Sequence, residues 1–366
     1  MLKKLIFLLL ISSANVLGQS KDLFPVCDKE QCGYIDRTGK IVISLQFDEV
    51  SEFSEGLAGV WVDSKYGFID QTGRMVIAPR FTAVRDFAEG LAAVTESDDP
   101  AWNGAWGYVD KSGSVVIPYQ YKSAMSFSQG LAAVEVKKAE GLVHQRTGTR
   151  LPSLWGYVNK TGELVIPPQL IAAFPFTEGV ARFWTGAFAS GDKYGLIDKT
   201  GKLIIEPNFD NIESDFHDGL APFRIGNKWG FIDTSGKVVI EPRFDVARSF
   251  SEGFGRIALK NKWNVAEWGF VDRTGKIVIE PQFSDVGEFS EGLAWVSSFS
   301  GKHGYIDTSG KMVIKPQFDE VNNFAGGLAL VSVRRKEKIV VTHGNEYKAF
   351  KYGYVNSKGN YVWQQT

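Results

Sequence analysis

A pattern that recurs along nearly the whole chain constrains its fold more than any other feature. Its clearest copy, 229–246, reads WGFIDTSGKVVIEPRFDV. An aromatic-Gly step, or a degenerate form of it, marks nine such copies, at residues 32, 66, 106, 155, 194, 229, 268, 303 and 352. Successive steps lie about 35 residues apart, and further apart where insertions occur. A period of this length predicts an array of small units that bury apolar surface against their neighbours.

Each copy contains three short runs with the composition of β-strands. The first is GLAAV-like, as in LAAVEV (131–136), the second is WGFID-like, as in GFID (67–70), and the third is KVVI-like, as in KVVI (237–240). All three are rich in β-branched and aromatic residues, are too short for helices and are bounded by turn residues. The pattern therefore predicts an all-β fold of nine three-stranded antiparallel units.

The turn between the second and third runs reads Asp-x-Thr/Ser-Gly-Lys. A short hairpin needs one residue at positive φ, which glycine adopts without strain, and the Asp side chain can accept hydrogen bonds from the turn's own N–H groups. One carboxylate per turn is too few for a calcium site, so we expect no metal. The glycine is present in all nine copies: Gly39, Gly73, Gly113, Gly162, Gly201, Gly236, Gly275, Gly310 and Gly359.

The connection to the next copy indicates how the units stack. It reads Pro-x-Phe, Asp-x-Val and Phe-Ser-Glu-Gly, most clearly at 281–292, and we expect Phe283, Val286 and Phe289 to fill the space between adjacent sheets. The connection is long enough to cross one small sheet, which predicts propeller-like blades with the GLAAV strand innermost. The alternative is an open β-solenoid or superhelix, because nine blades exceed the usual number and no split unit remains to seal a ring.

These residues resemble the WG repeats of bacterial proteins, which are named for the Trp-Gly step. The resemblance extends from about residue 22 to residue 363, because WGFID, the TGK turn, VIxPxF and FSEGLAxV recur in one order. The sequence departs from the pattern at Cys32 and His303, which replace the aromatic residue, and at Gly326, which replaces the acidic one. The resemblance implies a β-rich repeat array without a known shared catalytic centre.

The N-terminus predicts export. Residues 1–18 combine Lys3 and Lys4, an apolar run and a small-residue end, the order of a secretory signal peptide, whereas the apolar run is too short to cross a bilayer. The remaining 19–366 form the repeat domain, in which no segment approaches transmembrane length. We therefore expect a bacterial protein of the periplasm, cell envelope or exterior, in which Cys27 and Cys32 form a disulfide.

Composition and motifs limit the function. The formal net charge of −1 gives no basic footprint for nucleic acid. The four histidines are spread over different copies without metal-ligand spacing, and no nucleophile or dinucleotide motif is present. We expect a monomer without enzymatic activity, metal or cofactor. The alternative hypothesis is an exported hydrolase or lyase with a pocket at the propeller axis.

Binding is favoured because the insertions share one position, the hairpin between the first and second runs. They cover 95–105, 137–154, 185–193, 260–267 and 334–351, and insertions at one loop position map to one face of a repeat array. We predict an exported scaffold that binds a protein or a carbohydrate there. Candidate contact residues in or beside these loops are Trp61, Trp102, Trp184, Phe188, Trp263 and Tyr347.

Overall fold

The structure, a computed structural model, describes residues 23–28, 31–98, 105–137, 153–184, 193–212, 216–340 and 346–365. These residues form β-strands and turns, and they include no helix that could span a membrane. The strands form nine antiparallel sheets, one per sequence copy, which we number blades 1 to 9. The prediction of an all-β array of nine small units is confirmed.

Blades 1 to 4 contain the following strands. Blade 1 has β1 (Phe24–Asp28), β2 (Gln31–Ile35) and β3 (Ile41–Phe47). Blade 2 has β4 (Glu49–Val50), β5 (Leu57–Val62), β6 (Lys65–Asp70) and β7 (Met75–Phe81). Blade 3 has β8 (Ala83–Val84), β9 (Leu91–Thr95), β10 (Trp106–Asp110) and β11 (Val115–Tyr121). Blade 4 has β12 (Ser123–Ala124), β13 (Leu131–Lys137), β14 (Ser153–Asn159) and β15 (Leu164–Leu170).

Blades 5 to 9 repeat the four-stranded arrangement. Blade 5 has β16 (Ala172–Ala173), β17 (Val180–Trp184), β18 (Tyr194–Asp198) and β19 (Leu203–Phe209). Blade 6 has β20 (Asn211–Ile212), β21 (Leu220–Ile225), β22 (Lys228–Asp233) and β23 (Val238–Phe244). Blade 7 has β24 (Val246–Ser251), β25 (Phe254–Lys260), β26 (Ala266–Val271) and β27 (Ile277–Phe283). Blade 8 has β28 (Asp285–Val286), β29 (Leu293–Ser297), β30 (His303–Asp307) and β31 (Met312–Phe318). Blade 9 has β32 (Glu320–Val321), β33 (Leu328–Val340), β34 (Glu346–Asn356) and β35 (Tyr361–Gln364).

Eight blades contain one strand more than the sequence predicts. The Asp-x-Val segment, assigned to the crossover, pairs with the following GLAAV strand, as β4 does with β5. The GLAAV strand is therefore the second strand of its blade and not the innermost one, because the sheet order places the short strand beyond it. This inner strand has only two residues in seven of the eight blades, too few to produce an alternating pattern.

The glycine of the aromatic-Gly step is required by a bulge in the outer strand. In blade 6, β22 and β23 pair Trp229 with Phe244 and Phe231 with Ile240, so the outer strand has extra residues at this point. The bulge brings the Ile240 carbonyl over Gly230, where an added Cβ would lie 2.4 Å from its oxygen and 2.8 Å from the Pro242 nitrogen. The prolines lie within these outer strands at the bulge, where their nitrogen atoms face the glycine of the paired strand.

An aromatic contact recurs between successive blades. The residue after the Gly of one blade meets the Phe of the Phe-Ser-Glu-Gly segment of the next, as in Phe231–Phe250, whose ring centroids are 4.8 Å apart. Both rings are buried, and such edge-on or tilted pairs stabilise beyond the area they bury. The predicted filling of the space between sheets by Val286 and Phe289 is confirmed, since both lie in the core that joins blades 7 and 8. The other pairs are Tyr34–Phe53, Phe68–Phe87, Tyr108–Phe127, Tyr157–Phe176, Phe270–Phe289 and Tyr305–Phe324.

The ring closes where blade 9 meets blade 1. Phe24 and Tyr354 are buried in one core cluster, with ring centroids 5.4 Å apart, and the Tyr354 hydroxyl donates to the Pro25 carbonyl at 3.1 Å. Gln365 Nε2 donates to the Cys27 carbonyl at 3.4 Å. The fold is thus a closed nine-bladed propeller, and the open superhelix is excluded. The predicted disulfide between Cys27 and Cys32 is present and joins β1 to β2 beside this closure.

The Glu-Gly pair of each Phe-Ser-Glu-Gly segment forms a two-residue hairpin turn. In blade 2, Ser54 and Leu57 exchange backbone hydrogen bonds while Glu55 and Gly56 have φ of 52° and 87°. Positive φ at both central residues is the geometry of a type I′ turn, which favours Asn, Asp and Gly. A glutamate there carries a backbone cost, so another interaction must compensate.

That interaction is a hydrogen bond to the next blade. The Glu252 carboxylate of blade 7 accepts from the backbone N–H groups of Glu291, at 2.7 Å, and Gly292, at 3.0 Å, both in blade 8. Equivalent bonds join blades 2 to 9 in succession. In blade 9 the position is Gly326, which has no side chain to accept such a bond, so the series ends there. The acceptor–donor pairs are Glu55–Gly90, Glu89–Gly130, Gln129–Gly179, Glu178–Gly219, Asp218–Gly253, Glu252–Gly292 and Glu291–Gly327.

Substitutions at Glu252 separate the hydrogen bond from the backbone cost. Glu252→Ala removes the acceptor and keeps a side chain at φ 52°, so we expect the free energy of unfolding to fall by about 1–2 kcal/mol. Glu252→Gly removes the acceptor but also the backbone cost, and we expect a smaller loss. Urea unfolding of both variants measures the difference. Equal losses would show that positive φ costs nothing here, and no loss in either would show that the bond contributes nothing.

Candidate binding face

The hairpins between the second and third strands of blades 2 to 9 lie on one face of the ring. Antiparallel neighbours reverse direction at alternate ends, so these hairpins are opposite the Glu-Gly and Asp-x-Thr/Ser-Gly turns. We call this side the loop face. Of the predicted insertions, 260–267 is described completely and lies on this face, whereas 99–104, 138–152, 185–192 and 341–345 lie outside the described residues.

Three consecutive blades present large apolar side chains at this face. Ile225 of blade 6 is 53% exposed, Trp263 of blade 7 is 74% exposed and Phe299 of blade 8 is 59% exposed. Val265 is also exposed beside Trp263. We call these four residues the apolar tips. The hairpin of blade 2, in contrast, turns at Asp63 and Ser64. Exposed apolar side chains grouped on one side of a molecule mark an interaction surface.

Local turn chemistry fixes the most exposed of these side chains. Asn261 Oδ1 accepts from the backbone N–H groups of Trp263, at 2.9 Å, and Val265, at 3.1 Å, and Asn264 adopts φ 63°. This Asx turn closes the hairpin and leaves the Trp263 ring in solvent, with the Lys262 ammonium 5.1 Å from its centroid. The backbone that carries the Trp263 ring is therefore ordered before a partner covers the ring.

Aspartates that immediately precede an inner strand join the hairpins of neighbouring blades by hydrogen bonds. Asp245 Oδ1 accepts from Lys228 Nζ of blade 6 and its Oδ2 from the backbone N–H of Lys260 in blade 7, both at 2.8 Å. The hydrogen bond from Lys228 has the largest effect in lowering the pKa of Asp245, and the bond from the Lys260 N–H also lowers it. Asp210 joins Lys193 to the Gly226 N–H, and Asp319 joins Lys302 to the Arg334 N–H, in the same way. These bonds join the hairpins of blades 5, 6 and 7 and those of blades 8 and 9, whereas Ser284 stands at the aspartate position between blades 7 and 8.

The sequence-predicted contact residues differ in position and in exposure. Trp263 is a tip of the loop face. Trp61 is half-buried, with its ring 4.5 Å from that of Tyr66, and Trp184 is half-buried opposite Tyr194 and Ala172. Tyr347 lies in β34 opposite Ile339. Trp102 and Phe188 lie outside the described residues.

The structure therefore brings Trp263 together with residues that the sequence analysis did not select. Ile225 and Phe299 are in short hairpins outside the predicted insertions, whereas Val265 lies in the insertion 260–267 beside Trp263. Their position in the repeat could have identified them, because each lies at a hairpin tip where blade 2 has polar residues.

Other parts of the described structure offer weaker candidates for a functional site. A surface cleft of about 480 Å³ lies between the outer parts of blades 4 and 5, lined by Leu170, Phe183, Leu203 and Glu206 among others.

Burial raises the pKa of Asp86, whereas a hydrogen bond with Ser51 lowers it. No group of three or more potential ligand side chains is placed to hold a metal among the described residues. The turn aspartates instead accept bonds from their own turns, as Asp36 does from Thr38 N–H and Oγ1.

A protein-family model described as WG containing repeat matches eight segments of the chain. They are residues 33–66, 66–98, 106–138, 155–183, 194–229, 229–263, 268–298 and 304–336. The ninth blade lies largely beyond the last of them. A sequence comparison with curated proteins finds no match.

Solved structures are similar to this chain in fold. A eukaryotic initiation factor structure has a TM-score of 0.60 at 11% identity, over 94% of this chain and 96% of that one. A prolyl endopeptidase structure has a TM-score of 0.45 at 13% identity, over 83% and 54%. BamB from Moraxella catarrhalis has a TM-score of 0.40 at 9% identity, over 93% of each chain. The first similarity concerns the fold alone, and the other two are too low to support an argument.

The link through Asp245 predicts a local and pH-dependent effect. Because the pKa of Asp245 is lowered in the folded state, its contribution is complete above about pH 4 and is lost as the pH falls through the folded value. We expect Asp245→Ala at neutral pH to speed hydrogen exchange of the Lys260 amide by roughly tenfold or more. The Gly226 amide, which donates to Asp210, is the internal control. Unchanged exchange at Lys260, or equal acceleration at both amides, would contradict the assignment.

Proposed function

We propose, from the premise that this chain belongs to the WG-containing repeat family, that it is an exported, non-catalytic scaffold that binds a partner through its loop face. Family membership rests on the eight matched segments, which cover most of the chain. The observation that carries the binding proposal is the group of apolar tips on blades 6, 7 and 8. The partner is a protein or a glycan.

The chemistry of the tips favours a protein over a glycan. Aromatic rings alone would suit stacking on sugars, but here Trp263 and Phe299 are accompanied by the aliphatic side chains of Ile225 and Val265. Mixed aromatic and aliphatic surface is covered best by the apolar side chains of a polypeptide. The fixed hairpins support the same conclusion, because rigid aromatic anchors lower the entropic cost of association.

Export is the second part of the proposal and rests on residues 1–18, which lie outside the described residues. The disulfide Cys27–Cys32 is consistent with an oxidising compartment. We expect the protein isolated from cells to begin at Gln19, since cleavage would follow Gly18. N-terminal sequencing of protein recovered from the periplasm or medium tests this. Recovery only from the cytoplasm with Met1 retained would contradict export.

Removing two tips tests the binding surface. We expect the double substitution Trp263→Ala and Phe299→Ala to weaken partner capture at least tenfold, because truncation of a central aromatic anchor costs about 2 kcal/mol or more. The measurement is quantitative capture from a bacterial envelope extract, accompanied by a glycan array. The unsubstituted chain identifies the partner, and its dissociation constant is then measured for each variant.

A matched control separates the tips from exposed apolar surface in general. Val278 and Met312 are 40% and 37% exposed on the outer strands of blades 7 and 8, away from the loop face. The double substitution Val278→Ala and Met312→Ala removes apolar surface without touching the tips, and we expect it to leave capture unchanged. Equal loss in both double variants, or no loss in the first, would reject the loop face as the binding site.

A further inference from the structure

An arginine of one blade reaches the turn of the next blade at two of the interfaces. In blade 2, Arg80 Nη2 donates to the Gly113 carbonyl of blade 3 at 2.6 Å, and the guanidinium carbon lies 4.8 Å from the centroid of the Phe81 ring. In blade 6, Arg243 donates in the same way to the Gly275 carbonyl of blade 7 and lies over the ring of the phenylalanine that follows it. The carbonyl of the turn glycine and the neighbouring ring therefore form a site for a guanidinium, and at these two interfaces the chain occupies the site itself.

The interface between blades 4 and 5 has neither the arginine nor the phenylalanine. Gln169 and Leu170 stand at the positions of Arg80 and Phe81, at the end of the outer strand β15. Both side chains are smaller than those they replace, and the surface cleft of about 480 Å³ lies at this interface. Clefts of this size accommodate ligands. Leu170 is the exception among blades 1 to 8, whose outer strands otherwise end at Phe47, Phe81, Tyr121, Phe209, Phe244, Phe283 and Phe318.

The walls of the cleft combine apolar side chains with a turn glycine and a carboxylate. Leu170, Phe183 and Ile197 are buried and form its apolar part. Gly201 also lines the cleft, and it is the turn glycine of blade 5, equivalent to the two glycines whose carbonyls accept from the arginines. Glu206, an exposed residue, adds a negative charge, and the residues that line the cleft include no basic side chain. These walls suit a cation that is carried on an aliphatic stem.

We infer that this cleft receives an arginine side chain of a polypeptide partner. The aliphatic stem covers Leu170 and Phe183, while the guanidinium donates to the Gly201 carbonyl and pairs with Glu206. A planar guanidinium can donate to both groups at once, whereas the ammonium of a lysine is compact and more strongly hydrated. Free arginine fits less well than a peptide, because its α-carboxylate adds a second negative charge beside Glu206. The site goes beyond the proposed function, since it lies between the outer parts of two blades and not at the apolar tips.

The test adds the blocked tripeptide acetyl-Ala-Arg-Ala-amide to the full chain, labelled at its isoleucine and leucine methyl groups for NMR. We expect saturable shifts at the methyl groups of Leu170, Ile197 and Leu203, which line the cleft. Citrulline in place of the peptide's arginine keeps the shape and removes the charge, and we expect it to weaken binding about fivefold or more. Free arginine should also bind more weakly than the peptide. Absence of the shifts, equal binding of the citrulline peptide or equal binding of free arginine would overturn the inference.

Variants of the chain locate the site, with binding read from the Ile197 and Leu203 methyl groups. The double substitution Gln169→Arg and Leu170→Phe gives blade 4 the residues of blade 2. We expect the chain's own arginine then to occupy the cleft and to abolish peptide binding. Glu206→Gln changes one exposed side chain, and loss of its charge should weaken binding about two- to fivefold.

The matched control is Gln282→Arg at the interface of blades 7 and 8, where Phe283 keeps the aromatic residue. It introduces the same arginine away from the cleft and should preserve peptide binding. The Trp263 and Phe299 variant should preserve it too, so that this site and the apolar tips are tested separately. Urea midpoints confirm that each variant is folded. Undiminished binding in a folded variant of the cleft, or loss of binding in the control, would reject the cleft as the site.

Discussion

The contact between an aromatic residue of one blade and a phenylalanine of the next is the interaction on which the structure depends. A blade of three or four short strands buries little by itself, so each sheet is stable only because its neighbour covers it. The pair recurs with nearly constant geometry, as in Tyr108–Phe127 and Tyr305–Phe324. Between blades 5 and 6, Leu196 takes the aromatic position in the same core as Phe216. At the last interface Tyr354 meets Phe24, and the ring closes.

Much of the fold was predictable because its determinants are local and repeated. The turn glycines, such as Gly236 at φ 85°, and the aspartates that accept from their own turns follow from short-range backbone chemistry. The inner strands were not predictable, because two residues such as Ala172 and Ala173 cannot show a period. Closure was not predictable either. It depends on the angle between blades, which is a property of packed side chains and not of the sequence pattern.

The binding face was predictable in position but only partly in composition. Insertions share one loop, and topology alone places that loop on one face. Selecting aromatic residues identified Trp263 but also Trp61, which packs against Tyr66 within its blade. The sequence alone did not give the exposed fraction of each side chain. The same residue type packs inside a blade at a strand position and reaches solvent at a hairpin tip. Phe299 lies in a short turn between Ser298 and Lys302, where no insertion drew attention to it.

The glutamate at positive φ has a consequence for how such a chain can change in length. Each of these side chains accepts from backbone N–H groups of the following turn, and Glu55 and Glu89 also pair with Lys111 and Lys160. Because every copy has the backbone N–H groups, gene duplication or deletion of an internal repeat would leave every new junction with these backbone hydrogen bonds. Blade 9 differs, because Gly326 has no side chain to accept such a bond. The turns of blades 2 to 8 are thus interchangeable, and evolutionary gain or loss of repeats is expected among them.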